Sequence, residues 1–236
     1  MAGESLAQGW RAVARGFRGM YDYIGTTMIV SALWFFLGFT PTALSFLVFM
    51  QVPAINSFLI LAFCWTALLG PTTAAVYAVM HDILEGDIIR LRELFSYLAR
   101  HYKRAAGASA VMGAILGILV VDFFFFSQLE AGWSRFVTII WAYFIAFWAF
   151  MAQYVFPFLI TRDVSVWQIL KMSALMALDN VVATLVVAFF TLVVLAASIF
   201  LRVPIMLFMI GAFAFLHVSA FNELITKYTR PRDNEE

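Results

Sequence analysis

From Ile24 to Met80 the chain carries no Asp, Glu, Lys, Arg or His, enough length for two membrane-crossing helices and a turn. A spanning helix needs about 20 mostly apolar residues, set by a hydrocarbon core about 30 Å thick. Proline and asparagine interrupt helix hydrogen bonding, so Thr40-Pro41 and the 51–56 segment, with Gln51, Pro53 and Asn56, are where this run can bend or turn. The pattern predicts a first span at 24–49, breakable near Pro41, and a second at 57–80. Further apolar runs predict spans at 106–127, 134–160, 174–201 and, from Pro204, 204–223. Trp133 and Trp141 suit interfacial anchoring at the start of the fourth.

Between these runs lie three amphipathic segments, 9–23, 90–106 and 164–178, each preceding a pair of spans. In the second, Leu91, Leu94, Phe95, Leu98 and Tyr102 recur at helical spacing while Arg92, Arg100 and Lys103 face elsewhere. That pattern suits a helix lying in the headgroup boundary, basic side toward anionic lipid. Placing Phe95 over Trp167 aligns the second and third units. Two readings stay open: a three-hairpin repeat, or the basic amphipathic loops common to multispan proteins. The fold expected is all-α and integral to the membrane. It has six transmembrane helices in three hairpins as a single domain over 1–236, with tails at 1–20 and 228–236.

Composition strengthens this picture. Apolar residues make up 64% and charged residues 12%, against about 45–50% and about 25% in soluble domains. A soluble fold could not bury so much apolar surface. The net charge of +1 supplies no field to recruit nucleic acid. Cys64 is the single cysteine, so no disulfide framework is expected. The first apolar run is longer than a secretory signal core and reads as an uncleaved span.

Basic residues set the expected orientation, because Lys and Arg accumulate in cytoplasmic loops. With six spans, Arg11, Arg15, Arg18, Arg90, Arg92, Arg100, Lys103, Arg104, Arg162, Lys171, Lys227, Arg230 and Arg232 share one side. Only Arg135 and Arg202 fall on the other. Both termini are therefore expected in the cytoplasm.

Several stretches carry a family resemblance. "SALWFF" (31–36), "GPTTAAVYAV" (70–79), "LFSYLARHYKRA" (94–105) and "LKMSALMALDNVVATLVV" (170–187) together resemble the YesL-like family of bacterial multi-pass membrane proteins. Gly70-Pro71 followed by Thr73-Ala74-Ala75 is the most specific element, and Ser31 stands where the family pattern leads one to expect asparagine. The resemblance implies a bacterial inner-membrane location and, since family members are often found beside carbohydrate uptake transporters, an accessory role with transporter subunits as partners.

Candidate chemistry is sparse. Pro71 removes a backbone donor, and Thr72 and Thr73 can return hydroxyls to freed carbonyls, so a kinked span is expected. Its purpose stays open between a substrate-lining bend and a packing kink. His81, Asp82 and Glu85 lie past the last apolar turn, where Gly86 can stop the helix. They read as a wet helix end, and neither a metal nor a cofactor is expected. Ionisable groups deeper in the spans say more, because burying them in lipid is costly. Asp179-Asn180 lies eight residues past Lys171, about 12 Å along a helix, and His217 ten residues before Lys227, about 15 Å. Asp179 and His217 are thus expected to meet as a polar pair, which either lines a cavity or fixes helix register. Asn180 and Glu223 stand nearby, and Glu223 and Lys227 form an i, i+4 pair. Asp122 is expected to snorkel outward. An intramembrane Ser109–His217 dyad is one enzyme reading, beside a membrane enzyme acting on a lipid or glycan, and small residues such as Gly107, Ser109 and Gly113 more simply permit close helix packing.

The expectation is a non-enzymatic membrane component tied to carbohydrate uptake, in contact with the lipid bilayer and transporter subunits. The alternative is a small-solute transporter or channel with a polar cavity near Asp179 and His217.

Overall fold

A computed structural model describes residues 2–87, 91–130, 132–201 and 208–229. Among these residues every regular element is helical, and six helices are long and apolar enough to cross a membrane. They are Ile24–Gln51, Ile55–Glu85, Arg92–Ser127, Ser134–Thr161, Val181–Leu201 and Met209–Thr226. Pro204, Arg202, the Lys227 side chain and the tail from Arg230 lie outside the described residues.

Helix α1 (Ala2–Asp22) precedes the first span, which is built from α2 (Ile24–Trp34), a π-helical turn (Phe35–Phe39) and α3 (Thr40–Gln51). The second span repeats this plan with α4 (Ile55–Phe63), a π-helical turn (Cys64–Leu69) and α5 (Gly70–Glu85). In each the π turn ends two residues before a proline, Pro41 or Pro71. Thr40 N–H donates to Phe35 C=O, and Gly70 N–H to Trp65 C=O, both five residues back. Proline cannot donate and its ring crowds the carbonyl four residues earlier. A widened turn shifts the bonding register at that point, and hydroxyls take up freed carbonyls. Thr40 Oγ1 donates to Phe35 C=O at 2.8 Å, Thr42 Oγ1 to Gly38 C=O at 2.8 Å, and Thr73 Oγ1 to Leu69 C=O at 2.7 Å. The irregularity at Pro71 takes the form of a register shift through a π turn, with Thr72 and Thr73 hydroxyls on freed carbonyls, and the first span passes Pro41 in the same way without a break.

Gly86, at φ 97°, ends α5 with its N–H on Ile83 C=O at 3.1 Å. After it comes α6 (Leu91–Ser127), 37 residues in one piece, or about 55 Å at about 1.5 Å per residue. This corrects one expectation: the second amphipathic segment is not a separate helix but the extension of the third span. Its lower part packs beside α5, with Tyr97 hydroxyl donating to Asp82, so neighbouring helix satisfies it and no break is needed.

The fourth span, α7 (Ser134–Thr161), returns along α6. Arg104 of α6 fastens the connection beyond it, pairing with Asp163 at 2.9 Å and donating to the carbonyls of Arg162 and Val164. Next, α8 (Val166–Asp179) starts with a capping box between Ser165 and Gln168. It stops at Asn180, whose φ −123° and ψ 47° are not helical. The fifth span, α9 (Val181–Leu201), begins after that break. It is seven residues shorter than expected, because residues 174–179 belong to α8, packed against α7, and Asn180 is the break.

The last helix, α10 (Met209–Thr229), sits at the centre. Within its span window 72% is buried, against 11–33% for the other five. Helix α1 lies along it, with Gly16 against Leu216, Gly19 against Phe215, and Ala12 and Val13 buried. Arg15 and Arg11 reach Glu223 at 2.8 and 3.6 Å. The first amphipathic segment thus packs one face on protein.

Close backbone approach governs the packing around the second kink. A methyl group on Gly70 would overlap the hydroxyl of Ser109, and one on Gly38 the hydroxyl of Thr72. Overpacking of this kind costs about 1–3 kcal/mol. Gly70→Ala should lower thermal stability in detergent by about that amount, and by far less in a Ser109→Gly background. Equal losses in both backgrounds, read from thermal unfolding curves, would refute the contact.

Candidate functional site

Four helices meet at His217. Its Nδ1 lies 2.6 Å from the hydroxyl of Tyr77 on α5, and its Nε2 lies 3.1 Å from Thr191 Oγ1 on α9. Thr191 donates its own hydrogen to Val187 C=O at 2.9 Å, so its oxygen accepts from Nε2–H. Nδ1 then accepts from Tyr77, and the imidazole is neutral with both nitrogens satisfied. Phe213 stacks on the imidazole at 6.1 Å, while Phe156 of α7 packs on Tyr77 at 5.2 Å. A short-range polar tie therefore joins α5, α9 and α10, walled by aromatic rings.

Asp179 is not the partner of His217. It is exposed at the end of α8, whereas Thr191 stands ten residues beyond Val181, about 15 Å along α9. Asn180 turns inward instead: it is buried, and its amide donates to Met176 C=O at 3.2 Å. Its carbonyl accepts from Thr184 Oγ1 at 2.9 Å, and Tyr154 hydroxyl meets the same Thr184 oxygen at 2.8 Å. Glu223 holds α1 through Arg11 and Arg15. Asn180, His217 and Glu223 thus serve separate joints of the bundle. With His217 engaged on both nitrogens, no dyad with Ser109 forms either.

Pro71, Thr72 and Thr73 are all buried at the second kink. Thr73 Oγ1 accepts the indole N–H of Trp34 at 2.8 Å, which ties the first span to the second. Thr72 Oγ1 donates to Leu68 C=O at 2.6 Å. On the other side of the kink Trp65 donates to Ser109 C=O at 3.0 Å, and Trp148 of α7 donates to Met112 C=O at 3.2 Å.

Between these tryptophans the helices do not close. A cavity of about 200 Å³ is lined by Trp65, Leu69, Gly70 and Thr73 of the second span, Ala108, Ser109 and Met112 of α6, and Trp148, Ala152, Val155 and Phe156 of α7. Its wall is almost wholly apolar, and Phe156 separates it from the Tyr77–His217 tie. Among the described residues no group of three or more His, Cys, Asp or Glu could hold a metal. The chemistry this arrangement supports is apolar binding beside a hydroxyl.

Sequence reasoning passed over Tyr77, Thr191 and the three tryptophans. The available signal was depth: Trp34, Trp65 and Trp148 fall well inside spans, where each indole N–H needs an internal acceptor. No family model matches the chain, and no curated protein or solved structure matches it.

The network separates into measurable couplings. In unfolding cycles, Tyr77→Phe and His217→Phe should couple by about 0.6–1.7 kcal/mol, the range for hydrogen bonds in membrane bundles. Asp179→Asn and His217→Phe should add within about 0.5 kcal/mol, as unlinked sites do. Coupling in the second cycle equal to the first would restore the Asp179–His217 pair.

Proposed function

We propose that this chain is a non-enzymatic multi-pass protein of a bacterial cell membrane that works through contact with other membrane components, as an accessory to carbohydrate uptake. The observation that carries the non-transporting reading is the closed state of the polar centre. His217 is satisfied on both ring nitrogens by Tyr77 and Thr191, an arrangement that suits a fixed joint. A proton- or solute-coupled site built on Asp179 and His217 lacks the pairing that it requires.

The lateral surface supports the contact part of the reading. Along α6, α7 and α9 large apolar side chains point outward, among them Phe125, Phe136, Phe144 and Phe189. These faces suit lipid and equally suit the helices of a partner. The link to carbohydrate uptake rests on the resemblance carried by "SALWFF", "GPTTAAVYAV" and "LKMSALMALDNVVATLVV". The crowding of Lys and Arg on one side supports placing both termini in the cytoplasm.

Affinity purification of the tagged protein in mild detergent tests the role. Carbohydrate-transporter subunits should co-purify, and liposomes holding the protein alone should pass no sugar or protons. Flux through the protein alone would overturn the reading in favour of a transporter. Reporter fusions at residue 90 and after residue 236 should both report a cytoplasmic location.

A further inference from the structure

The cavity between the second span, α6 and α7 has three properties that together specify an occupant. It is apolar, it lies inside the spanning region, and it carries one hydroxyl with spare donor capacity. Thr73 spends its hydrogen on Leu69 C=O and accepts from Trp34. The indoles of Trp65 and Trp148 spend theirs on α6 carbonyls. Ser109, 7% exposed, points its oxygen against Gly70, and its hydroxyl has no hydrogen-bond partner among the described residues.

Depth can be counted along two helices from the 128–133 connection at one membrane surface. Trp148 is fourteen residues into α7 and Met112 fifteen residues before Ser127, so both lie roughly 21–23 Å in. Ser109 lies eighteen residues before Ser127, about 27 Å in. In a hydrocarbon core about 30 Å thick this places Ser109 near the far boundary and Trp148 and Met112 deeper. Ester carbonyls of bilayer lipids sit at that boundary, and their chains run inward from it. An apolar cavity of about 150 Å³ is known to hold benzene, so about 200 Å³ has room for a chain segment. The way in is lateral: Trp65, Leu69, Trp148, Ala152 and Phe156 are only half-buried, on spans whose outer faces are apolar.

We propose that this cavity is a lipid site that holds one acyl chain of a bilayer lipid between Trp65 and Trp148, with the ester carbonyl of that chain accepting from Ser109. The site rests on the spans being embedded in a bilayer and is independent of the accessory role, whose failure would leave it standing. Hydrocarbon chains are the solvent of this surface, so even weak preference fills the site by mass action.

Photo-crosslinking tests it. The full-length protein is reconstituted in vesicles of a phosphatidylcholine bearing a diazirine in one acyl chain, and adducts are mapped by mass spectrometry. Met112, 7% exposed, should be labelled in the wild type, along with outward-facing Phe144 and Phe136. Ala152→Phe fills the cavity and should abolish the Met112 adduct while leaving Phe144 labelled. Ala152→Leu, a milder change, should reduce it. Ser109→Ala should lower Met112 labelling, by at most about threefold, the worth of an average hydrogen bond in a membrane bundle. The same variant should have no effect with an ether-linked lipid of equal chain length. An unlabelled Met112 in the wild type, or labelling that persists in Ala152→Phe, would overturn the site. Indifference of ester-lipid labelling to Ser109→Ala would overturn the carbonyl contact.

Discussion

A proline within a lipid-embedded helix leaves carbonyls that no water can reach, and the first two spans of this bundle are organised by the answer to that constraint. Unsatisfied backbone groups in hydrocarbon cost several kcal/mol each. Here the register shifts through a π turn just before Pro41 and again before Pro71, and threonine hydroxyls absorb carbonyls around each shift. A π turn is wider than an α turn and re-aims the side chains that follow it. The two widened turns lie against each other, with Gly38 and Gly70 providing room for Thr72 and Ser109. The same irregularity keeps the second span from closing on α7, and the cavity lies at that gap.

The packing around α10 follows a different rule. This helix gives most of its surface to α1, α2, α5, α7 and α9, so its ionisable residues must find partners inside the protein. His217 does so with two hydroxyls and stays neutral, which avoids the price of a buried charge. Glu223 does so near the helix end, where two arginines, each more than half exposed, still reach water. Depth decides which solution is used: neutral hydrogen bonds in the middle of the helix, ion pairs at its wetter end.

Much of the fold was legible because hydropathy reports the surrounding solvent. Six apolar runs became six helices long and apolar enough to cross a membrane, and the threonine hydroxyls on carbonyls around Pro71 followed from proline chemistry alone. Geometry within the bundle was less legible. Nothing in residues 91–127 distinguishes a helix that bends at the headgroups from one that continues, since both keep the amphipathic pattern. Contact with α5 made the difference, and that contact is tertiary. Asp179 and Asn180 show the limit more sharply. Adjacent residues on a helix point about 100° apart, and a break between α8 and α9 sets which one turns inward. The sequence could not choose which of the two is buried.

The mid-span tryptophans explain why these joints hold without a strong hydrophobic drive. Lipid tails are as apolar as leucine, so burying apolar surface against another helix gains little over leaving it in the bilayer. Hydrogen bonds between helices do not face that competition. Trp34 bonds the first span to the second, Trp65 bonds the second to α6, and Trp148 bonds α7 to α6. Each indole offers one donor on a large apolar body, so it satisfies a polar need while filling space. Gly113 makes one of these possible, because a methyl group there would stand 2.6 Å from the Trp65 nitrogen. The chain of indole bonds therefore ties four successive spans across the kinks, at the level where proline has weakened the helices' own ladders.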